Sequence, residues 1–333
     1  MKIGVDAMGG DHAPLEIIKG CLDAVSEYSL SICLIGQIDH LQEILTQNAI
    51  TLPESITLVH ASELVEMGEA PSLAFKRKKD SSIRVGIDLL KDKKIDAFVS
   101  AGNTGAVMTT ATLVLGRIPG VERPAIASVL PGFSGPVTML DLGSNVDCKP
   151  SHLYQFAIMG HHFSKCVMDV VSPKVALLNI GEEPDKGDQL SQETYALLKE
   201  APINFIGNLE SKYIVFNKAD VIVCDGFVGN NLLKFGEGVA EYFMKLFKRE
   251  CKSSLFSMFG ALFMKTAFKR IKEATDYEEF GGAPLLGVNG VTIIAHGKSH
   301  AKAIKNAIYS AKHAVETKMV ERIASSIHEE GHS

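Results

Sequence analysis

Short runs of apolar, often β-branched residues recur along the chain, and each is followed by Gly, Asn or Asp. Five of them occur at Ile3–Asp6, Ile95–Ser100, Val137–Leu142, Val175–Ile180 and Asp220–Cys224. Continuous apolar runs of this length are typical of parallel strands that are buried on both faces. Because helix-like segments usually follow them, the pattern predicts an α/β fold with an open, mostly parallel sheet and helices on both faces.

Two of the predicted helices can be read in detail. Apolar residues recur at three- and four-residue spacing over Ser299–Lys318, with Ser299 as a candidate N-cap. Thr104–Leu115 is almost wholly apolar, which predicts a buried helix. No repeat, low-complexity tract or Pro/Gly/Ser-rich linker divides the chain, so we expect a single unit over residues 1–333. If that unit has two lobes, we expect them to share one sheet.

Composition argues against several classes of function. The chain has 34 Lys and Arg against 39 Asp and Glu, so it lacks the basic field that nucleic-acid binding requires. Its six cysteines include no C-x-x-C pair, which favours free thiols in a reducing cytoplasm over a zinc site. No apolar run reaches 18 residues and the N-terminal segment does not resemble a signal peptide, so we expect a cytoplasmic protein.

Several common active-site motifs are missing. The sequence has neither the P-loop G-x-x-x-x-G-K-[ST] nor the dinucleotide fingerprint G-x-G-x-x-G. Gly132-Phe-Ser-Gly135 breaks the G-x-S-x-G spacing of a nucleophile elbow. His296 and His300 are four residues apart, but Gly297 lies between them and no H-E-x-x-H surrounds them, which argues against a metal there.

The turns after the predicted strands carry the candidate chemistry. In open α/β sheets, ligands bind beyond the carboxyl ends of the strands. Glycines there let the backbone approach a ligand closely, and helix N-termini attract anions. Three of the five turns contain Asn, which offers a donor and an acceptor without repelling phosphate. Five such turns at one sheet edge predict a site for a phosphate-containing ligand, although these residue types also make ordinary turns and caps.

Six segments, most of them at these turns, match a known family in order along the chain: Val5–Pro14, Ser100–Ala106, Gly116–Pro124, Asp141–Asp147, Asp225–Asn230 and Phe280–Ala283. On these residues the sequence resembles the bacterial acyl-[acyl carrier protein]:phosphate acyltransferase family. Ser144 stands where the family usually has Ala, and Asn231, directly after Asn230, departs from its usual pattern. The first two matching segments are highly specific together.

The resemblance implies transfer of a long-chain acyl group from acyl-[acyl carrier protein] to inorganic phosphate, which gives acyl phosphate for phospholipid synthesis. It also implies a fold similar to isocitrate/isopropylmalate dehydrogenases and phosphotransacetylases, a homodimer, and neither cofactor nor metal. A membrane glycerol-3-phosphate acyltransferase would consume the product.

Three other interpretations stay open. One is a phosphotransacetylase-like enzyme that uses short acyl-coenzyme A. The second is a dehydrogenase of the same fold, which would need a carboxylate cluster for a metal and a nucleotide pocket that the sequence does not establish. The third is a non-catalytic membrane scaffold for lipid-synthesis enzymes.

The residues suit the implied chemistry. A thioester is already activated, so an enzyme mainly has to hold phosphate in line and stabilise the oxyanion, with no need for a Ser-His or Cys-His pair. Lys186 is assigned to phosphate or oxyanion stabilisation, the alternative being a solvated loop lysine. Asn230 is assigned to orienting the carbonyl or phosphate. The candidate phosphate- or substrate-binding residues are Gly10, Asp11, His12, Asn103, Thr104, Asn145 and Asp147.

Residues 245–273 predict a protruding, amphipathic helical segment. No acidic residue lies between Glu250 and Glu273, and Leu and Phe recur there at helical spacing among Lys and Arg. This pattern favours an interfacial membrane segment, with a possible hairpin tip at Gly260, over a helix buried in the protein or in a dimer interface. The candidate membrane contacts are Leu255, Phe256, Phe259, Leu262 and Phe263.

Lys76-Arg-Lys-Lys79 is the densest basic run of the chain. Because acyl carrier proteins are acidic, one interpretation is that it steers the carrier to the enzyme. The other interpretation is a solvated helix face.

Overall fold

A computed structural model describes residues 1–274 and 281–330. Its strands are β1 (Lys2–Asp6), β2 (Ser31–Gly36), β3 (Ile56–His60), β4 (Ala97–Ser100), β5 (Ala125–Ile126), β6 (Ser128–Gly132), β7 (Gly135–Leu140), β8 (Val175–Asn179), β9 (Phe205–Glu210), β10 (Val221–Val223), β11 (Ala283–Leu286) and β12 (Val291–Ile294). Its helices are α1 (Leu15–Glu27), α2 (Ile38–Gln47), α3 (Pro71–Arg77), α4 (Ser82–Lys91), α5 (Thr104–Val114), α6 (Pro150–Val167), α7 (Gln189–Lys199), α8 (Gly226–Cys251), α9 (Leu255–Phe263), α10 (Lys265–Ala274), α11 (Ala301–Glu316) and α12 (Met319–Glu330).

The strands form two sheets. The order is β3-β2-β1-β4-β12-β11-β5 in the seven-stranded sheet and β6-β7-β10-β8-β9 in the five-stranded sheet. Pairing is parallel except between β11 and its neighbours and between β6 and β7. The mostly parallel α/β fold is therefore confirmed. The single sheet shared by two lobes is not found, because the chain leaves one sheet after Ile126 and enters the other at Ser128.

One core nevertheless unites the two sheets. In β4, Ala97 and Val99 pack into the cluster that contains α1 and α11, whereas Phe98 points to the opposite face, toward α4 and α5. In β10, Val221 and Val223 join the same cluster as Ala97. Because alternate residues of a strand face opposite sides, each sheet is covered on both faces, as its apolar sequence predicts.

All five predicted strands are present, but several predicted ends of strands and helices are wrong; β4, for example, begins at Ala97 and not at Ile95. β7 stops at Leu140, two residues early, because the Asp141 carboxylate accepts the N–H of Asn145 and turns the chain. α11 begins at Ala301, and Ser299 does not cap it. Instead, Glu16 of α1 accepts the Ala301 N–H at 3.0 Å.

A long helical arm leaves the five-stranded sheet. α8 has 26 residues, of which only Gly226 and Gly229 are buried, and α9 and α10 follow it. Across the described residues, we find no helix that combines the length and the apolarity needed to cross a bilayer.

Candidate functional site

Three turns lie side by side at the carboxyl ends of β1, β4 and β12, which are neighbours in the seven-stranded sheet. The buried Asp6 carboxylate accepts hydrogen bonds from Ser100 Oγ at 2.7 Å and from the Met8 N–H at 3.0 Å. Ser100 Oγ in turn accepts the N–H of Gly102 at 3.0 Å. Burial raises the pKa of Asp6, and hydrogen bonds from serine hydroxyls oppose that rise. Asp6 therefore ties two turns together.

Glycines let these turns approach each other closely. A Cβ on Gly9 would lie 2.5 Å from the backbone nitrogen of Gly102, so no other residue fits there without movement. Gly10 follows with φ +102°, in the region that favours glycine, and turns the chain so that Asp11 and His12 are exposed.

The turn after β12 completes this group and was missed in the sequence analysis. The N–H of Asp11 donates to the Gly297 carbonyl at 2.7 Å, and the His12 ring stacks on His300 with centroids 4.3 Å apart. The apolar run Val291–Ile294 before Ala-His-Gly has the same signature as the other strand ends, so the signal was present.

Asn103 has a structural role in this group. Its Oδ1 caps α5 by accepting the N–H of Ala106 at 2.9 Å. Its Nδ2 donates to three carbonyl oxygens of residues 66–69, at distances from 2.9 to 3.2 Å. The amide is therefore engaged within the protein, whereas the next residue, Thr104, is exposed at the first position of α5.

The second group of turns follows β7, β10 and β8, neighbours in the five-stranded sheet. Asp141 Oδ2 accepts the N–H of Asn145 at 2.6 Å and its Nδ2 at 3.0 Å. Asn145 Nδ2 also donates to the Pro124 carbonyl at 2.8 Å, so this amide is engaged too. Burial raises the pKa of Asp141, and the hydrogen bonds lower it. Asp147 is exposed, with φ +57°.

Asn230 lies in the first turns of α8. Asp225 caps this helix through its Oδ1. Gly229 packs so tightly that a Cβ there would lie 2.1 Å from the Asp141 carbonyl oxygen. Asn230 is exposed beside Gly143, where an added Cβ would lie 3.4 Å from the Asn230 Cβ. The glycines thus bring this amide against the turn after β7.

Lys186 lies in the adjacent turn, because β8 pairs with β10. Its carbonyl accepts Asn179 Nδ2 at 3.1 Å, and its stem packs against Gly181, whose added Cβ would lie 2.9 Å from Lys186 Cγ. The side chain is exposed, and among the side chains that the structure describes we see no carboxylate paired with its ammonium. The backbone is held while the charge remains available to a ligand.

The five predicted turns do not converge on one sheet edge. Two lie on the seven-stranded sheet and three on the five-stranded sheet, since the strands divide between two sheets. Asp141 of the second group also contacts the seven-stranded sheet, because its Oδ1 accepts the N–H of Ile126 in β5 at 3.3 Å.

The cysteines near the second group are poor nucleophiles. Burial raises the pKa of Cys148 to about 11 and the pKa of Cys224 well above its usual range. Both therefore stay thiols at neutral pH. The available groups are an exposed ammonium, an exposed amide and turn backbones, which suit binding and orientation of an anion.

An apolar hollow of about 450 Å³ lies on the first turns of α8. The hollow is lined by Phe227, Val228, Asn231, Leu232 and Phe235.

At the end of the arm, Phe256, Phe259, Leu262 and Phe263 of α9 are exposed. The side chain of Leu255 lies outside the described part of the structure. Gly260 is not at a hairpin tip, because it lies within α9. Phe280 also lies outside the described residues.

Comparisons with known proteins give a consistent result. A family model described as fatty acid synthesis protein matches residues 1–322. The phosphate acyltransferase of Dictyoglomus turgidum is 52% identical over 329 residues, 98% of each chain. That of Desulfitobacterium hafniense is 48% identical over 328 residues, again 98% of each. A phosphotransacetylase structure from Streptococcus pyogenes covers 95% of this chain and 94% of its own, with 19% identity and a TM-score of 0.66, which confirms the fold.

Proposed function

The chain belongs to the fatty acid synthesis protein family, whose matched relatives are phosphate acyltransferases, and we propose that it transfers a long-chain acyl group from acyl-[acyl carrier protein] to inorganic phosphate. The observation that carries the site assignment is the pair of exposed polar side chains, Lys186 and Asn230, on neighbouring turns whose backbones are held by hydrogen bonds and glycine packing.

A phosphate oxygen attacks the thioester carbonyl carbon, the new C–O bond forms, and the C–S bond breaks. The carrier leaves as a thiolate that takes a proton from water, and acyl phosphate remains. Lys186 stabilises the phosphate or the developing oxyanion, and Asn230 donates to the carbonyl or to phosphate. Gly10, Asp11, His12 and Thr104 offer a further phosphate-binding edge in the first group.

The apolar hollow on α8 favours a substrate with a long acyl chain. Phe227, Val228 and Phe235 of α8 expose apolar surface, and burying such surface against an acyl chain is favourable. An acetyl group would leave this surface exposed, which argues against the short acyl-coenzyme A alternative.

The reaction is tested by incubating the protein with phosphate and either palmitoyl-carrier or acetyl-coenzyme A, and measuring acyl phosphate. We expect palmitoyl phosphate and free carrier thiol, with both products dependent on phosphate. Acetyl phosphate alone would favour the phosphotransacetylase interpretation, and no product with retained carrier binding would favour the scaffold. Mass spectrometry after mixing with acyl-carrier alone tests direct attack, since a stable acyl adduct on the protein would exclude it.

The site is tested with Lys186→Ala and Asn230→Ala. Losing one donor to an oxyanion costs about 100- to 1,000-fold in turnover, and both residues are exposed, so folding should be unchanged. Lys199→Ala and Asn48→Ala are matched controls, because Lys199 lies on α7 and the exposed Asn48 amide donates to the Ile44 carbonyl of α2. Near-normal turnover in either site variant would remove that residue from the mechanism.

We also propose peripheral membrane association through α9, which would place the product near a membrane acyltransferase that uses it, such as a glycerol-3-phosphate acyltransferase. The exposed Phe256, Phe259 and Phe263 support this, together with Lys265 and Lys269 on the following helix.

A homodimer is proposed as well. Phe133, at the β6–β7 turn, is bonded through its N–H to Val215, and both residues and the adjacent Phe216 expose apolar side chains. Light scattering should therefore give twice the chain mass of 36.0 kDa. A measured mass equal to that of one chain would exclude the dimer.

A further inference from the structure

Helix α3 presents a basic face that contains no acidic residue. Ala74 is buried against the protein, whereas Leu73, Lys76 and Arg77 are exposed, as their three- and four-residue spacing requires. Leu73 is 46% exposed, which adds an apolar contact between the two charges. The face thus combines cations with one apolar anchor, the pattern that binds an acidic amphipathic helix.

The next two lysines have different roles. Lys78 is used internally: its Nζ pairs with Glu69 at 2.6 Å and donates to the Leu64 carbonyl. The hydrogen bond from Lys78 lowers the pKa of Glu69. Lys79 is exposed and lies over the Phe75 ring, 4.5 Å from its centroid, which keeps its charge at the surface.

Acidic residues nearby are mostly bonded within the flanking segments. Asp80 accepts the N–H and hydroxyl of Ser62, at 2.9 and 2.5 Å. Glu63 accepts the N–H of Asp80 at 2.8 Å. Glu66 is exposed on the preceding loop, outside α3.

This face is attached to the first group of turns. Pro71 at the start of α3 packs on Gly105 of α5, where an added Cβ would lie 2.5 Å from Pro71 Cγ. Residues 66–69, which lead into α3, are held by the Asn103 amide. A protein bound to α3 would therefore lie next to the turn where α5 begins.

We propose that the exposed face of α3, with Leu73, Lys76, Arg77 and the adjacent Lys79, is the docking surface for the acidic acyl carrier. The proposal rests on the proposed function for the identity of the carrier. Charge complementarity identifies the partner as acidic, and Leu73 provides the apolar contact at its centre.

The test is Lys76→Glu/Arg77→Glu, with Lys91→Glu/Lys199→Glu as a control. All four residues lie in the last turns of their helices, and the two double variants change the net charge equally. We expect the first to raise KM for acyl-carrier about tenfold at low salt, with kcat at saturation unchanged and the difference shrinking as salt rises. The control should keep the wild-type KM.

Equal effects of the two double variants, or no effect of either, would overturn the proposal. Leu73→Ser, at an exposed position, gives a second test through a raised KM without a charge change. Binding of labelled carrier, measured by fluorescence anisotropy, tests the docking surface separately from the proposed function. If the wild-type protein shows no turnover, the proposed function fails, whereas loss of carrier binding in Lys76→Glu/Arg77→Glu alone still supports the surface.

Discussion

Replacing Phe259 and Phe263 of α9 with Asp should abolish vesicle binding while leaving the reaction in solution intact. Both side chains face solvent, 65% and 87% exposed, so neither contributes much to folding. Surface substitutions of this kind usually change the free energy of unfolding by about 0.5 kcal/mol or less. Lys186 and Asn230 lie elsewhere, in turns at the carboxyl ends of β8 and β10.

The size of the effect follows from the exposed surface. Full burial of a Phe side chain contributes about 1.5–3 kcal/mol, and scaling by the exposed fractions of 65% and 87% gives about 2–5 kcal/mol for the pair. This corresponds to a loss of about 30-fold to a few thousandfold in partitioning. Each new carboxylate costs about 1 kcal/mol more near an anionic surface.

The assay is flotation with vesicles that contain anionic lipid, next to turnover of soluble acyl-carrier. A matched control is Leu113→Asp/Val171→Asp, since these side chains are 60% and 87% exposed outside the arm. Flotation should be lost in the first double variant and kept in the second, with turnover normal in both. Unchanged flotation of Phe259→Asp/Phe263→Asp would refute contact through α9, and its unfolding would show that these residues pack inside the protein or an assembly.

Two further predictions concern stability. Gly229→Ala should lower the free energy of unfolding by about 1–3 kcal/mol in urea titrations, because the Asp141 carbonyl must move. In the control Gly236→Ala, in the same helix, the added Cβ meets no atom within 4 Å, so the free energy of unfolding should rise by up to about 1 kcal/mol. Equal effects of the two variants would contradict the close packing at Gly229. Burial holds the pKa of His162 at about 4, below its ordinary 6.5, so the unfolded chain binds an extra proton between these values and stability falls as the pH drops from 6.5 to 4. The fall in Tm from pH 7 to pH 5 should therefore be smaller in His162→Asn than in the wild type, and an equal fall would show that His162 is not responsible.

Buried strands were predictable because their signal is local. Val175–Ile180 and Asp220–Cys224 contain continuous apolar runs, and β8 and β10 lie within them. The division into two sheets depends on which strands pair, and this information is distributed over the whole chain. The prediction that Ser299 caps α11 was wrong for a similar reason. Glu16, 285 residues away from Ala301 in sequence, accepts the Ala301 N–H instead.

The turns that carry the candidate residues were easier to predict than the hydrogen bonds that each side chain makes. Asn103 and Asn145 are in the expected turns, but their amides bond to carbonyl oxygens of residues 66–69 and of Pro124, at least 21 residues away in sequence. Such partners cannot be identified from turn composition. Gly297, in contrast, followed an apolar run of the same kind as the others and could have been included.

The length of α8 would set the distance between the proposed site and the proposed membrane contact. At 1.5 Å per residue, its 26 residues span about 39 Å from the turns at its start to the α9 end of the arm. One leaflet of a bilayer has a hydrocarbon depth of about 15 Å, close to the reach of a single acyl chain. With α9 on a membrane and α8 upright, an acyl group held at Asn230 cannot enter that membrane while it is still bound. In that arrangement the arm would hold the site away from the membrane, and the product would have to leave the protein before its chain met lipid.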